Sequence, residues 1–102
     1  MVTITPRIAI TLYKGHLPIA WGHLDPGEGK TWLGVSVAYG YTRQGNGSRI
    51  VKRLCKFADN AGWELWLTCD KDIKNWYQRY GFRVMYIKNV VYMRRARKTK
   101  GM

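Results

Sequence analysis

The hydrophobic period of this 102-residue chain changes once, and that change limits what it can fold into. Up to Val37 apolar residues recur at every second position: Ile8, Ile10 and Leu12 alternate with Ala9, Thr11 and Tyr13. Ile19 to Leu24 follows, and then Thr31 to Val37 with Leu33, Val35 and Val37 on one face. Such alternation marks strands with one buried face. Lys14-Gly15-His16 and Asp25-Pro26-Gly27-Glu28-Gly29 separate them. These are turn residues, because Pro presets φ and Gly accepts positive φ. The first third is expected to be a three-stranded antiparallel meander.

From Ser48 to Ala61 the period becomes helical. Ile50, Val51, Leu54, Phe57, Ala58 and Ala61 share one side, while Arg49, Lys52, Arg53 and Lys56 fill the other. This predicts an amphipathic helix ended by Gly62. Trp63 to Thr68 reads as a short strand, and Asp70 or Asp72 is placed to cap a second helix reaching about Tyr80, where Gly81 stops it. Phe82 to Ile87 and Val90 to Arg94 read as closing strands, and residues 93–102 as a basic, frayed tail. The expected architecture is α/β (α+β): a single domain over 1–102, of order β-β-β-α-β-α-β-β. Its sheet should be mixed and mostly antiparallel, with two helices.

Eighteen Lys and Arg against six Asp and Glu give a net charge of +12 and a pI near 10.1. Such a field attracts polyanions or an acidic protein. No apolar run approaches the roughly 20 residues that cross a bilayer. With no secretory segment, Cys55 and Cys69 read as free thiols in a reducing, cytoplasmic setting, although one disulfide is formally open.

Two motifs mislead. Gly29-Lys30-Thr31 ends like a phosphate-binding P-loop, but the required earlier glycine is Leu24 and a strand follows where a helix is needed. His16 and His23 have no Cys or carboxylate at ligand spacing, and Cys55 and Cys69 lie on different elements, so no metal site is expected.

The informative stretch runs from Val35 to Ser48, where a strand enters a loop with Gly40, Gly45 and Gly47 and the loop opens into the first helix. Free N–H groups of a first helical turn, backed by the dipole, can cradle a phosphate group, and Arg43 and Arg49 add charge there. It is not the dinucleotide fingerprint, which would need Gly at Ile50.

Together with Asn75 to Phe82, this stretch resembles the GNAT superfamily of acyl-CoA-dependent N-acyltransferases. Val37, Tyr41 and Thr42-Arg43-Gln44-Gly45-Asn46-Gly47 fall at the spacing of that family's strand, linker and R/Q-x-x-G-x-G/A motif. Asp70 to Phe82 aligns with its closing motif, matching at Tyr77, Gly81 and Phe82 and departing at Asp70 and Ile73; Thr42 stands where Arg or Gln is usual. The resemblance spans about residues 8 to 93. It implies acetyl-CoA in a cleft between the Thr31–Val37 and Trp63–Thr68 strands, and no metal. Val35 and Val37 would pair with the pantetheine, and Thr42, Arg43, Gln44, Gly45, Asn46, Gly47 and Ser48 would surround the diphosphate. Asp70 would lie along the cofactor, and Tyr77 would be the general acid. The implied activity is acetyl transfer to a primary amine of a protein or small molecule. No base is assigned, although Glu28, Asp25 and His23 are near.

The family's usual front strand and two helices have no counterpart before Ile8, so the acceptor side would be open, completed by a partner subunit, or absent. The last case gives the alternative reading, an inactive binding module for nucleic acid or a partner protein. Five Trp in so short a chain, with Trp21 and Trp32 on adjacent strands, point to a homodimer contact.

Overall fold

The computed structural model describes residues 7–27 and 30–98. Three strands form the expected meander: β1 (Ile8–Lys14), β2 (Leu17–Pro26) and β3 (Thr31–Val37), antiparallel in sequence order. Helix α1 (Asn46–Ala61) crosses over to β4 (Leu65–Cys69), which pairs with β3 in parallel. A 3-10 turn (Lys71–Ile73) leads into the short helix α2 (Lys74–Gln78), and β5 (Arg83–Ile87) and β6 (Val91–Arg95) close the chain. The six strands lie in the order β1-β2-β3-β4-β6-β5. The α+β class and the mixed sheet are as the sequence predicts.

Alternation decides the core. Ala20, Leu24, Leu33, Leu65, Leu67, Val91 and Met93 point to one face and meet Ile50, Val51, Leu54 and Ala58 of α1 in a single buried cluster. Gly22 makes the closest approach, since a Cβ there would run into Ile50 and Leu54. Helix and sheet backbones can come so near only over a residue with no side chain.

Several boundaries differ from the sequence reading, each for a local reason. α1 begins at Asn46 rather than Ser48, because Gly45 at φ 81° is the last residue outside the helix. Trp63 belongs to the helix end and not to β4. Its N–H bonds to Ala58 O at 2.9 Å while that of Gly62 bonds to Asp59 O at 3.3 Å, the paired bonds of a Schellman motif. Its ring packs on Phe57 at 6.1 Å between centroids, the apolar contact that accompanies such caps. α2 stops at Gln78 rather than Tyr80, because the Tyr80 and Gly81 N–H groups bond three residues back and tighten the last turn. β2 continues through Asp25 and Pro26, which pair with Trp32 and Thr31. Phe82 is wholly buried beneath Tyr77 and precedes β5. Cys55 and Cys69 are free and buried.

The basic tail is also corrected. Met93, Arg94 and Arg95 belong to β6, and Arg95 is drawn inward by a bidentate pair with Asp59 at 2.7 and 3.1 Å. Its Nε donates to Tyr80 O at 2.7 Å, so one guanidinium joins the end of α1, the chain before Gly81 and β6. Residues 99–102 lie outside the described residues. Arg95→Ala is expected to lower the unfolding free energy by about 1.5–3 kcal/mol, the range for hydrogen bonds to charged groups, as read by urea denaturation. The Arg95 hydrogen bonds hold the Asp59 carboxyl below its ordinary value. The stability it adds is therefore complete above about pH 4 and lost as pH falls through the lowered value, and Asp59→Asn should flatten that acid limb.

Candidate active site

The pairing of β3 with β4 stops almost as soon as it starts. Only Thr31↔Leu65 and Trp32↔Trp66 are in register; beyond them β3 runs on to Val37 and β4 to Cys69 without meeting. The strands part in a V, and a cavity of about 530 Å³ opens between them. One wall is the edge of β3 at Val35, Ser36 and Val37. The floor is Thr42, Arg43, Gly45, Gly47 and Ser48, and the far wall is Asp72, Ile73, Trp76 and Tyr77.

The floor is held in shape by three residues with positive φ: Gly40 at 90°, Arg43 at 61° and Gly45 at 81°. Arg43 bears the strain of that region in a side-chain-carrying residue, which is uncommon and often local to functional loops. The turn sends the chain into α1 with no side-chain hydrogen bond capping the helix and no acidic residue in its first turn. The first N–H groups and the positive end of the dipole therefore face the cleft without competition. A Cβ on Gly47 would sit 3.5 Å from Val37 and 3.6 Å from Trp76, ordinary contacts at the mouth of the cradle.

Most of the residues expected from the sequence come together here: Val35, Val37, Thr42, Arg43, Gly45, Gly47, Ser48 and Tyr77 all line the cleft. Gln44 and Asn46 instead shape the loop. Gln44 Nε2 donates to Gly40 O at 3.2 Å, and the buried Asn46 donates through Nδ2 to Tyr41 O at 3.1 Å. Ser48 shares a hydrogen bond with the Tyr80 hydroxyl, tying the start of α1 to the chain after α2. Asp70 lies exposed before the 3-10 turn and outside the cleft lining. Of the three acid–base neighbours, His23 and Asp25 pair with each other at 3.1 Å, and Arg7 holds Asp25 at 2.9 Å, away from the lining; Glu28 is outside the described residues. Ser36 joins the lining through the parted edge of β3, and Asp72, Ile73 and Trp76 through the 3-10 turn that leads into α2; neither placement was legible from the residues alone.

Tyr77 is buried against Trp76, at 4.9 Å between centroids, and Phe82, at 5.9 Å. Among the described residues no buried side-chain oxygen or nitrogen is left without a partner, and the phenol has none, so its oxygen opens onto the cleft. Burial foremost, and then the electrostatic influence of Cys69, pushes its pKa up to about 12. The phenol stays protonated across the neutral range. Alkaline titration followed by phenolate absorbance should give a wild-type minus Tyr77→Phe difference centred near pH 12, not near the ordinary value of about 10. The unfolded chain would ionise first, so the stability Tyr77 contributes is complete below about pH 10 and lost as pH rises through the folded value.

Among the described residues, no three His, Cys, Asp or Glu side chains gather to hold a metal, and no helix is long and apolar enough to cross a membrane. No family model and no curated protein matches the sequence. Solved structures do. An acyl-CoA N-acyltransferase from Pseudomonas aeruginosa superposes with TM-score 0.76 at 21% identity, over 91% of this chain and 70% of that one. ElaA of Escherichia coli gives TM-score 0.81 at 16% identity, over 90% and 70%. The paia N-acetyltransferase from Thermoplasma acidophilum, solved in complex with coenzyme A, gives 0.75 at 17% identity, over 88% of this chain and 60% of its own. At such identities the likeness is one of backbone architecture. The chain therefore has the fold of the GNAT acyl-CoA N-acyltransferases.

Proposed function

We propose that the protein is an N-acetyltransferase that moves the acetyl group of acetyl-CoA to a primary amine by direct attack within a ternary complex. The observation that carries this reading is the convergence in one cleft of a strand edge without a β4 partner, an uncapped helix N-terminus and a protonated phenol. The coenzyme A complexes among proteins of this fold support it.

The edge of β3 at Val35 and Val37 offers backbone groups to the pantetheine amides as a strand edge does to an added strand. The amides from Arg43 to Ser48 suit the diphosphate, whose negative charge lies at the positive end of α1. The Arg43 guanidinium adds charge at the same place. When bound, acetyl-CoA supplies an acyl thioester. Tyr77 holds a hydrogen-bond donor in the cleft, where negative charge builds on the departing sulfur. A phenol near pKa 12 facing a thiol of ordinary pKa about 8.5 suits hydrogen bonding to the sulfur better than complete proton transfer.

Two substitutions test the assignment. Gly47→Ala should bind acetyl-CoA nearly as wild type, since its Cβ meets only ordinary contacts. Gly47→Glu should lose binding by more than about tenfold in calorimetric titration, because it fills the cradle and sets a carboxylate against the diphosphate. Equal binding by a folded Gly47→Glu variant would move the site elsewhere. Tyr77→Phe keeps the ring and removes the donor. Its acetyl-CoA affinity should barely change while kcat falls about 100-fold, and an unchanged kcat would remove Tyr77 from the chemistry.

A further inference from the structure

Both helices pack on one face of the sheet, as the shared cluster of Ile50, Leu54 and Tyr77 with Leu67 and Met93 shows. The register places a different set on the other face. Trp32 stands beside Trp66, Trp66 pairs with Arg94, and Arg94 with Arg83, one row across four strands. In the adjoining row Tyr86 and Tyr92 stack at 4.4 Å with their rings 20° apart. No helix among the described residues covers this face. Trp32 is 36% exposed and Tyr86 47%. Exposed aromatics gathered on one surface mark a contact site.

Charge selects what that contact is. Lys30 Nζ lies 4.2 Å from the Trp66 ring centroid, on the same face. Glu64 accepts from Trp66 Nε1 at 2.8 Å and from Arg94 at 2.8 and 3.0 Å. That carboxylate offsets the Arg94 charge and fixes ring and guanidinium side by side. Arg83 is exposed beside them. A second copy of a chain with net charge +12 would bring like charge to this surface. A ligand with both flat rings and regularly spaced negative charge matches both features: unpaired bases stack on aromatic side chains while the phosphates lie against Arg and Lys. We infer that the helix-free face binds single-stranded nucleic acid. The inference does not depend on the acetyl-CoA reading, because no residue of this row lines the cleft.

The test is fluorescence anisotropy of a labelled oligothymidylate of about 12 nucleotides, with inorganic polyphosphate as competitor and circular dichroism as the check on folding. Binding is expected, weakening with salt, and polyphosphate should displace the oligonucleotide poorly because it carries no bases. Trp32→Ala and Tyr86→Ala should each weaken binding about tenfold, the scale of one lost base–aromatic stack. Tyr86 is on an edge strand and exposed, so its variant carries the test if Trp32→Ala unfolds. Lys52→Glu with Lys56→Glu, on the outer side of α1, should weaken binding less than Tyr86→Ala does. The inference is overturned if the oligonucleotide does not bind at low salt. It is equally overturned if the α1 pair costs more than the aromatic variants, or if light scattering shows a dimer that the oligonucleotide does not engage.

Discussion

Two residue pairs of parallel sheet, Thr31 with Leu65 and Trp32 with Trp66, govern the rest of this structure. They join the amino-terminal meander to the second half of the sheet, and no further pair follows. Backbone N–H and C=O groups without a partner are costly to bury, so strands that part must open to solvent or to a ligand. The crossover through α1 brings a helix N-terminus to the same end of the sheet. A crevice beyond the carboxyl ends of parallel strands is where α/β sheets commonly bind ligands. Here the parting opens a cavity of about 530 Å³ at that end of the sheet.

The cleft is framed by packing between its two halves. Gly22 lets α1 lie directly on β2, while Arg95 ties the end of that helix to β6 and to the chain after α2. Ser48 and Tyr80 join the helix start to the same segment. Trp76 of the far wall meets both Tyr77 and, outside the lining, Tyr80 edge to face. The same packing that buries Tyr77 raises its pKa, so the wall's stability and the phenol's protonation have one cause.

Placing both helices on one face divides the molecule by chemistry. The helical side carries the core and the cleft. The other side carries Trp32, Trp66, Tyr86 and Tyr92 with Lys30, Arg83 and Arg94 among them. The net charge of +12 is a property of the whole chain, and on this face cations share a surface with flat rings.

The element order and the glycine loop were legible in the residues themselves. A period of two before Val37 and of 3.6 after Ser48 forces strands and then a helix, because side chains alternate on a strand and repeat along a helix face. Gly45 and Gly47 marked the loop that lines the cleft, and the resemblance picked out Tyr77, which lines it too; backbone freedom and ring chemistry belong to single residues. The helix ends were less legible, because the Schellman bonds at Trp63 and the tightened turn at Tyr80 depend on hydrogen bonds several residues apart. Asp70 was expected along the cofactor, but the 3-10 turn leaves it outside the cleft lining and brings Asp72 to the cleft instead. Strand order, the early end of β3–β4 pairing, and the burial of Arg95 against Asp59 were decided only by tertiary structure. The β3–β4 pairs and the Arg95–Asp59 pair join residues more than 30 positions apart, and the β4–β6 pairs residues 22 or more apart; such contacts form only after loop closure, which no local pattern records.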